Sequence, residues 1–363
     1  MSSKYLTNDD LHLNRLNSKF KISKIGCSVN NEDINVVKVG NGNIKVLAWS
    51  QMHGNESTST KSLLDFINAL NNDEFINILD ACTLHLIPIL NPDGARAYTR
   101  ENYNKVDLNR DAQERSQVES KLFKALVDKV KPLVAFNLHG QRTIFSAGQT
   151  NNSAIVSFLS PASDQERTIT DSRKKGMRII AEMNKALQTV IPNCIGRYDD
   201  GFNINCTGDT MEDSGYTTIL FEAGHHPGDY ERETTRKWMY LSLITALDFI
   251  TKNELTIDKY EAYFDIPENE KCFKDVIVRN FLINNVKKDV SLQYLETLVD
   301  GKLTFVPRVA EISSQISDFG HFEVDSSTSK IVFSNVLDNC KIDDIIDYLS
   351  IDDEIFSVFP IKK

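Results

Sequence analysis

Apolar and polar positions along this chain follow two periods, and the places where one gives way to the other mark its elements. Residues 34–39 and 44–49 are apolar-rich runs of strand length, separated by the turn-forming Gly40-Asn41-Gly42. Apolar residues then recur at helical spacing over 59–70, and again over 117–130, 172–190 and 231–250. Between those helices, 82–90, 133–138 and 217–221 read as buried strands. Strands and helices taken in turn predict an α/β fold, with a mixed, mostly parallel sheet flanked by helices. Past about residue 255 the texture changes to short β-rich runs at 261–264, 275–283, 303–309 and 330–333, with helical character at 343–349. A chain of 363 residues is long for one core. The expected division is 1–255, a larger α/β domain, and 256–363, a smaller, mainly β accessory domain.

In sheets of this kind ligands sit beyond the carboxyl ends of the strands. Candidate chemistry falls there. His53 and Glu56 follow the run ending at Trp49, His139 closes 133–138, and Glu222 closes 217–221. Two histidines and a carboxylate are a known zinc ligand set that leaves one position open. His53 and Glu56 are close enough for one turn to aim both at a single ion, whereas His139 must come from a different strand. A lone histidine says little, since buried histidines are usually just hydrogen-bonded. The coincidence of four such groups at strand ends carries the reading, with one Zn²⁺ expected per chain. Glu222 is the spare acid, expensive to bury at the end of Thr-Thr-Ile-Leu-Phe without a purpose. His225 and His226 read as solvated loop residues.

Between these groups stand Asn91-Pro92-Asp93-Gly94, then Arg100, then Asp107-Leu108-Asn109-Arg110. Alone, the first tetrapeptide is turn chemistry. In this order, however, His-x-x-Glu, Asn-Pro-Asp-Gly, an arginine, Asp-Leu-Asn-Arg, a lone His and Phe221-Glu222-Ala223-Gly224 resemble the catalytic domain of zinc metallocarboxypeptidases of the carboxypeptidase A/B type, over residues 19–250. The resemblance implies that His53, Glu56 and His139 bind Zn²⁺ and that the metal lowers the pKa of a bound water. It implies Glu222 as the base that takes the water proton and returns it to the leaving amine. Arg100, preferred over Arg96 on its distance from Asp-Leu-Asn-Arg, would stabilise the oxyanion. Asn109 and Arg110 would grip the free carboxylate of the substrate, and Asp107 would hydrogen-bond the outer nitrogen of His53. The expected activity is hydrolysis of the C-terminal amide bond of a peptide or amino-acid-amide substrate.

One stretch departs from the pattern. Such enzymes usually carry a mobile tyrosine upstream of the catalytic glutamate, but residues 207–212 here read Thr-Gly-Asp-Thr-Met-Glu, and Tyr198 and Tyr216 stand out of place. His-x-x-Glu and Asp-Leu-Asn-Arg also resemble zinc deacylases of N-acyl amino acids, of the succinylglutamate desuccinylase and aspartoacylase kind, which an added β domain suits too. Asn91-Pro92-Asp93-Gly94 favours the carboxypeptidases. A zinc-bearing binding protein without turnover is a third reading, and the intact Glu222 speaks against it.

Charge and composition narrow the partners. With 41 Lys and Arg against 51 Asp and Glu, a formal charge of −10 disfavours nucleic acid or an anionic membrane as a partner. The N-terminus lacks the apolar core of a secretory signal and no stretch approaches the length of a membrane span, so a cytoplasmic location is expected. Six scattered cysteines without a Cys-x-x-Cys pair read as reduced. For the C-terminal domain the expectations are a lid, a substrate-size gate, a homo-oligomer contact, or plain stabilisation.

Overall fold

The computed structural model describes residues 5–71, 74–252, 255–334, 340–346 and 348–356. The first part of the chain runs through β1 (Lys21–Cys27), β2 (Asp33–Val39), β3 (Ile44–Ser50), α1 (Thr58–Asn71), α2 (Ile76–Ala81), β4 (Cys82–Ile87), α3 (Pro92–Ala97) and α4 (Val118–Val130). It continues through β5 (Val134–Gly140), β6 (Ser146–Ala147), β7 (Val156–Leu159), α5 (Asp171–Leu187), β8 (Ile195–Arg197), α6 (Thr207–Asp213), β9 (Thr217–Ala223) and α7 (Glu233–Lys252). Eight of these strands form one sheet in the order β1-β2-β4-β3-β5-β9-β7-β8. Its centre, β4-β3-β5-β9, is parallel, while β1, β2 and β7 add antiparallel pairings towards the edges. The sheet is therefore mixed and mostly parallel, as the pattern predicts.

Strand β3 shows why these runs are almost continuously apolar. Val46 and Ala48 face the layer of α1, α5 and α7, and Leu47 and Trp49 face α4 on the other side. A strand covered on both faces needs apolar residues at odd and even positions alike. Trp49 packs on Phe123 of α4 with ring centroids 4.7 Å apart. Truncating Trp49 to alanine would cost about 3–5 kcal/mol.

The C-terminal part is a separate β region. After β10 (Asn269–Glu270), which pairs with β6, come β11 (Phe273–Ile283), β12 (Val286–Val299), β13 (Lys302–Ser313) and β14 (Phe319–Asp325), ordered β13-β12-β11-β14. A small sheet of β15 (Ile331–Phe333), β16 (Leu349–Ile351) and β17 (Glu354–Phe356) follows. Val276, Val278, Val290, Leu292, Val309 and Phe333 belong to a core of its own.

Two expectations are corrected here. Residues 261–264, expected as a strand, lie in the 3-10 helix Glu261–Asp265, which turns Tyr263 inward to accept from Ser160 N and to lie under the Arg197 guanidinium. Residues 343–349, expected as helical, instead spend their backbone groups on β13: Asp343 N donates to Val309 O, Ile346 N to Pro307 O, and Leu349 opens β16. Residue 347 lies outside the described residues. Strand β12 escaped the pattern because its buried face carries polar Ser291 and Gln293 and its start carries Lys287 and Lys288. Among the described residues no helix is long and apolar enough to cross a membrane.

Candidate metal centre and active-site cavity

The loop bearing His53 and Glu56 leaves β3 and is braced from below by α3. Asn91 caps that helix, accepting from Gly94 N at 2.9 Å, and Pro92 fills its first turn, so Asn-Pro-Asp-Gly opens a helix rather than forming a free-standing turn. The Asn91 amide also donates to Met52 O at 3.1 Å, and Asn55 N donates to Thr99 O at 3.2 Å. Gly54 packs so closely on this helix that a Cβ there would lie 1.9 Å from the Gly94 carbonyl carbon. Only glycine allows that approach. Gln51, one turn before, takes a left-handed φ of 45° and holds it by donating to Leu6 O and Gly54 O.

Three ligand atoms converge as a result. His53 Nδ1 and His139 Nδ1 face one another at 3.1 Å, and each meets one oxygen of Glu56, at 2.8 and 2.9 Å. Gly140 N donates to the same carboxylate at 3.0 Å, and the Ser59 hydroxyl holds the His139 carbonyl. Among the described residues these three are the group of histidine and acidic side chains able to hold a metal ion. Zinc bonds of about 2.0–2.2 Å in a tetrahedral shell put neighbouring ligand atoms roughly 3.3 Å apart, so the observed spacing fits that ion with a slight opening. The electrostatics agree. Burial alone would lower His53, but the Glu56 charge and bonds to Asp107 and Glu56 outweigh it and raise its pKa to about 9. Burial opposes the Glu56 carboxylate too, yet His53 and His139 hold it well below the usual range. Glu56 thus stays charged beside two imidazoles.

The other expected residues surround this trio. Glu222 stands beside His139 because β5 and β9 run parallel with those two residues in register. Its Oε2 is buried without a hydrogen-bond partner among the described residues, and burial, then the Glu56 charge, pushes its pKa well above the usual carboxylate range. Asp107 accepts from His53 Nε2 at 3.1 Å, from Asn109 N at 2.8 Å and from Arg100 Nε at 3.0 Å. Arg100 lies 3.5 Å from Glu56 Oε1. Arg96 points elsewhere, to Glu32 and Asp9. Asn109 Oδ1 accepts from Thr207 N, and among the described residues the exposed Arg110 donates only to the neighbouring Asn109 carbonyl.

All but Asp107 line one cavity of about 380 Å³. Its far wall holds residues that spacing set aside or passed over: Tyr198, Cys206, Gly208 and Asp209. Tyr198 is pushed well up, first by burial and then by the charges of Glu222 and Glu56, while a bond to Asn269 opposes the shift. Burial also raises the Asp209 carboxyl to about 6, against a bond from Asn203 N and the charge of Arg110. The signal missed for Asp209 was its place at the start of α6, where an acid before a buried strand has to face either water or a ligand. His225, outside the trio, packs its ring between Tyr230 and His321.

Comparison with known proteins agrees with this geometry. Residues 12–166 match the zinc carboxypeptidase family. Carboxypeptidase E of Caenorhabditis elegans is 32% identical over 119 residues, covering 27% of this chain and 25% of its own. The chain spans about a quarter of the length of the curated relatives it matches. A metallo-carboxypeptidase from Burkholderia cenocepacia shares the fold at a TM-score of 0.52 and 15% identity, over 65% of each chain. Bovine thrombin-activatable fibrinolysis inhibitor, solved with a tick carboxypeptidase inhibitor, superposes with a TM-score of 0.52 at 17% identity, over 65% of this chain and 92% of that one. The chain thus shares the fold of metallo-carboxypeptidases, its residues 12–166 match the zinc carboxypeptidase family, and its His53, Glu56 and His139 form a group that could hold a metal ion.

Proposed function

We propose that the protein is a zinc-dependent metallocarboxypeptidase that removes the C-terminal residue of a peptide or peptide-like substrate. The observation that carries this reading is one cavity lined at once by the His53, Glu56, His139 trio, by the half-buried Glu222, and by the open guanidinium of Arg110. A zinc ion held by the trio supplies Lewis acidity towards the scissile carbonyl and a water acidic enough to ionise near neutral pH. The remaining steps belong to the chain. Glu222, with an unpartnered oxygen and a raised pKa, takes the water proton and returns it to the leaving nitrogen. Arg100, held by Asp107, offers fixed positive charge to the developing oxyanion. Arg110 presents its planar fork to the terminal carboxylate of the substrate. Thr207 N occupies the oxygen of the Asn109 amide, which leaves the amide N–H₂ as the end for that carboxylate. Asp209, buried on the wall without an ion pair among the described residues, suits a basic side chain on the departing residue.

The test compares peptides with free and amidated C-termini on zinc-reconstituted protein. We expect cleavage of the free form only, abolished by chelation, and about a hundredfold lower kcat/KM in Arg110→Ala, the scale of a lost charge-assisted pair with the substrate carboxylate. Equal cleavage of both forms by the unmutated protein would remove the exopeptidase reading. The deacylase reading gains from one feature, a wall of the cleft built by the β region; faster turnover of N-acyl amino acids than of any short peptide would favour it. We treat that region as a domain joined to the catalytic unit at 255/256.

A further inference from the structure

Next to the metal-site cavity lies a second one, of about 470 Å³, that the scheme above leaves unused. The two adjoin, with Glu56, Arg100, Gly140, Gln141 and Arg142 lining both. Its opposite wall comes from the β region, through Tyr294 and Glu296 of β12 and Phe305 and Arg308 of β13. This wall is firmly seated: Gln293 donates to the Thr143 hydroxyl at 2.8 Å, and His321 Nε2 lies 2.9 Å from Thr143 O.

The charges in this cavity are unevenly matched. Its acids are taken, Asp275 by Tyr230 and the Tyr294 backbone at 2.9 and 2.8 Å, and Glu296 by the Tyr98 hydroxyl. Two of its cations are not. Arg232 is 4% exposed, yet its hydrogen bonds run to the Gln141 and Ala223 carbonyls at 2.7 and 2.6 Å, with no ion pair among the described residues. Arg142, exposed and three residues past His139, has no ion pair among the described residues either. A buried guanidinium with only neutral partners is costly until an anion arrives, and an arginine fork recognises a carboxylate best.

We propose that this second cavity is the subsite for the acyl half of the substrate, and that it takes an acyl residue bearing a carboxylate through Arg142 and Arg232. The inference rests on the metallocarboxypeptidase reading. With the terminal carboxylate at Arg110, the residue on the other side of the scissile bond extends past Glu56 and Arg100 into this space. Hydrolysis there breaks the C–N bond, adds the water oxygen to the acyl carbon and moves the water proton to the leaving nitrogen.

The experiment uses the full chain with zinc and three substrates, acetyl-Glu-Lys, acetyl-Gln-Lys and acetyl-Lys-Lys. We expect kcat/KM to favour the glutamyl over the glutaminyl substrate by about tenfold, as one partly exposed arginine–carboxylate pair allows. Arg142→Gln should bring that ratio near one, and Arg142→Glu should put the lysyl substrate ahead of the glutamyl one. Calorimetry on Glu222→Gln gives a readout without turnover, in which acetyl-Glu-Lys should bind about tenfold tighter than acetyl-Gln-Lys. Cleavage of all three at equal rates, or a glutamyl preference that survives Arg142→Glu, overturns the subsite and leaves the carboxypeptidase standing. Cleavage of none, with the binding preference intact, does the reverse. Neither cleavage nor selective binding overturns both.

Discussion

Asp107 is where the metal site is most open to attack by a single substitution. One carboxylate accepts from the outer nitrogen of His53 at 3.1 Å, from the Asn109 backbone at 2.8 Å and from Arg100 at 3.0 Å. Burial pushes this carboxyl up, but the His53 bond and the charges of His53 and Arg100 win and hold it well below the usual range, so it is ionised throughout neutral pH. Asp107→Asn keeps an acceptor and loses the charge; Asp107→Ala loses both. Partners of this kind are worth about tenfold to a hundredfold in metal affinity, or roughly 1.4–2.7 kcal/mol. The pair with Arg100, whose side chain is 41% exposed, adds at most about 1 kcal/mol after screening. We therefore expect zinc Kd, measured by competition with a chromophoric chelator, to weaken about tenfold in the asparagine variant and about a hundredfold in the alanine variant. Alanine-variant affinity within about twofold of the unmutated protein would refute the idea that Asp107 orients His53.

Three further outcomes follow from the geometry. Glu222→Gln should lower kcat by about a hundredfold to ten-thousandfold while leaving zinc Kd near its original value, since the role proposed for Glu222 is that of the base and not of a ligand; steady-state kinetics beside metal titration checks both. Glu212 accepts from Thr218 N but has its other oxygen buried without a partner among the described residues, and burial raises its pKa to about 7 from the ordinary 4.5. The folded state therefore holds a proton that the unfolded state has released between those values, and stability falls as pH rises through 7. Glu212→Gln should remove that loss, gaining on the order of 3 kcal/mol at pH 8 relative to pH 5, read by denaturant unfolding; equal stability differences at both pH values would contradict it. Gly54→Ala should displace the metal loop from α3, because its Cβ would fall 1.9 Å from Gly94, and should cost zinc binding before it unfolds the sheet. Full zinc affinity in that variant would show that the contact yields freely.

Much of the candidate site was legible in the sequence because its residues end strands that are apolar on both faces. The runs before His53, His139 and Glu222 need no tertiary information to be seen, and in a parallel sheet their ends gather on one side. Asn91-Pro92-Asp93-Gly94 was visible but misjudged, since capping and turn chemistry use the same residue types and only the helix behind Gly54 distinguishes them. Tyr198 and Asp209 were hidden for another reason. They sit after the three-residue β8 and on the short α6, elements too brief to show a period, and they reach the cavity through the fold of the 198–209 loop. The arginines of the second cavity could not be paired from sequence, because their carboxylate neighbours Asp275 and Glu296 are occupied by tyrosines 45 and 198 residues away along the chain.

Asn269 sits in the segment that connects the sheet to the β region, and it is woven into the floor of the cleft. Its side chain accepts from Ser157 at 3.0 Å and donates to Gln141 at 2.9 Å, over a Gly196 whose missing methylene is what lets it pass. Swinging the two halves apart would break the Asn269 bond to Gln141, only two positions past His139 of the candidate metal group. The exposed Asp199 and Gly201 mark the solvent side of the metal-site cavity, and grafting the β region onto a related sheet would require carrying Gly196 and Asn269 across together.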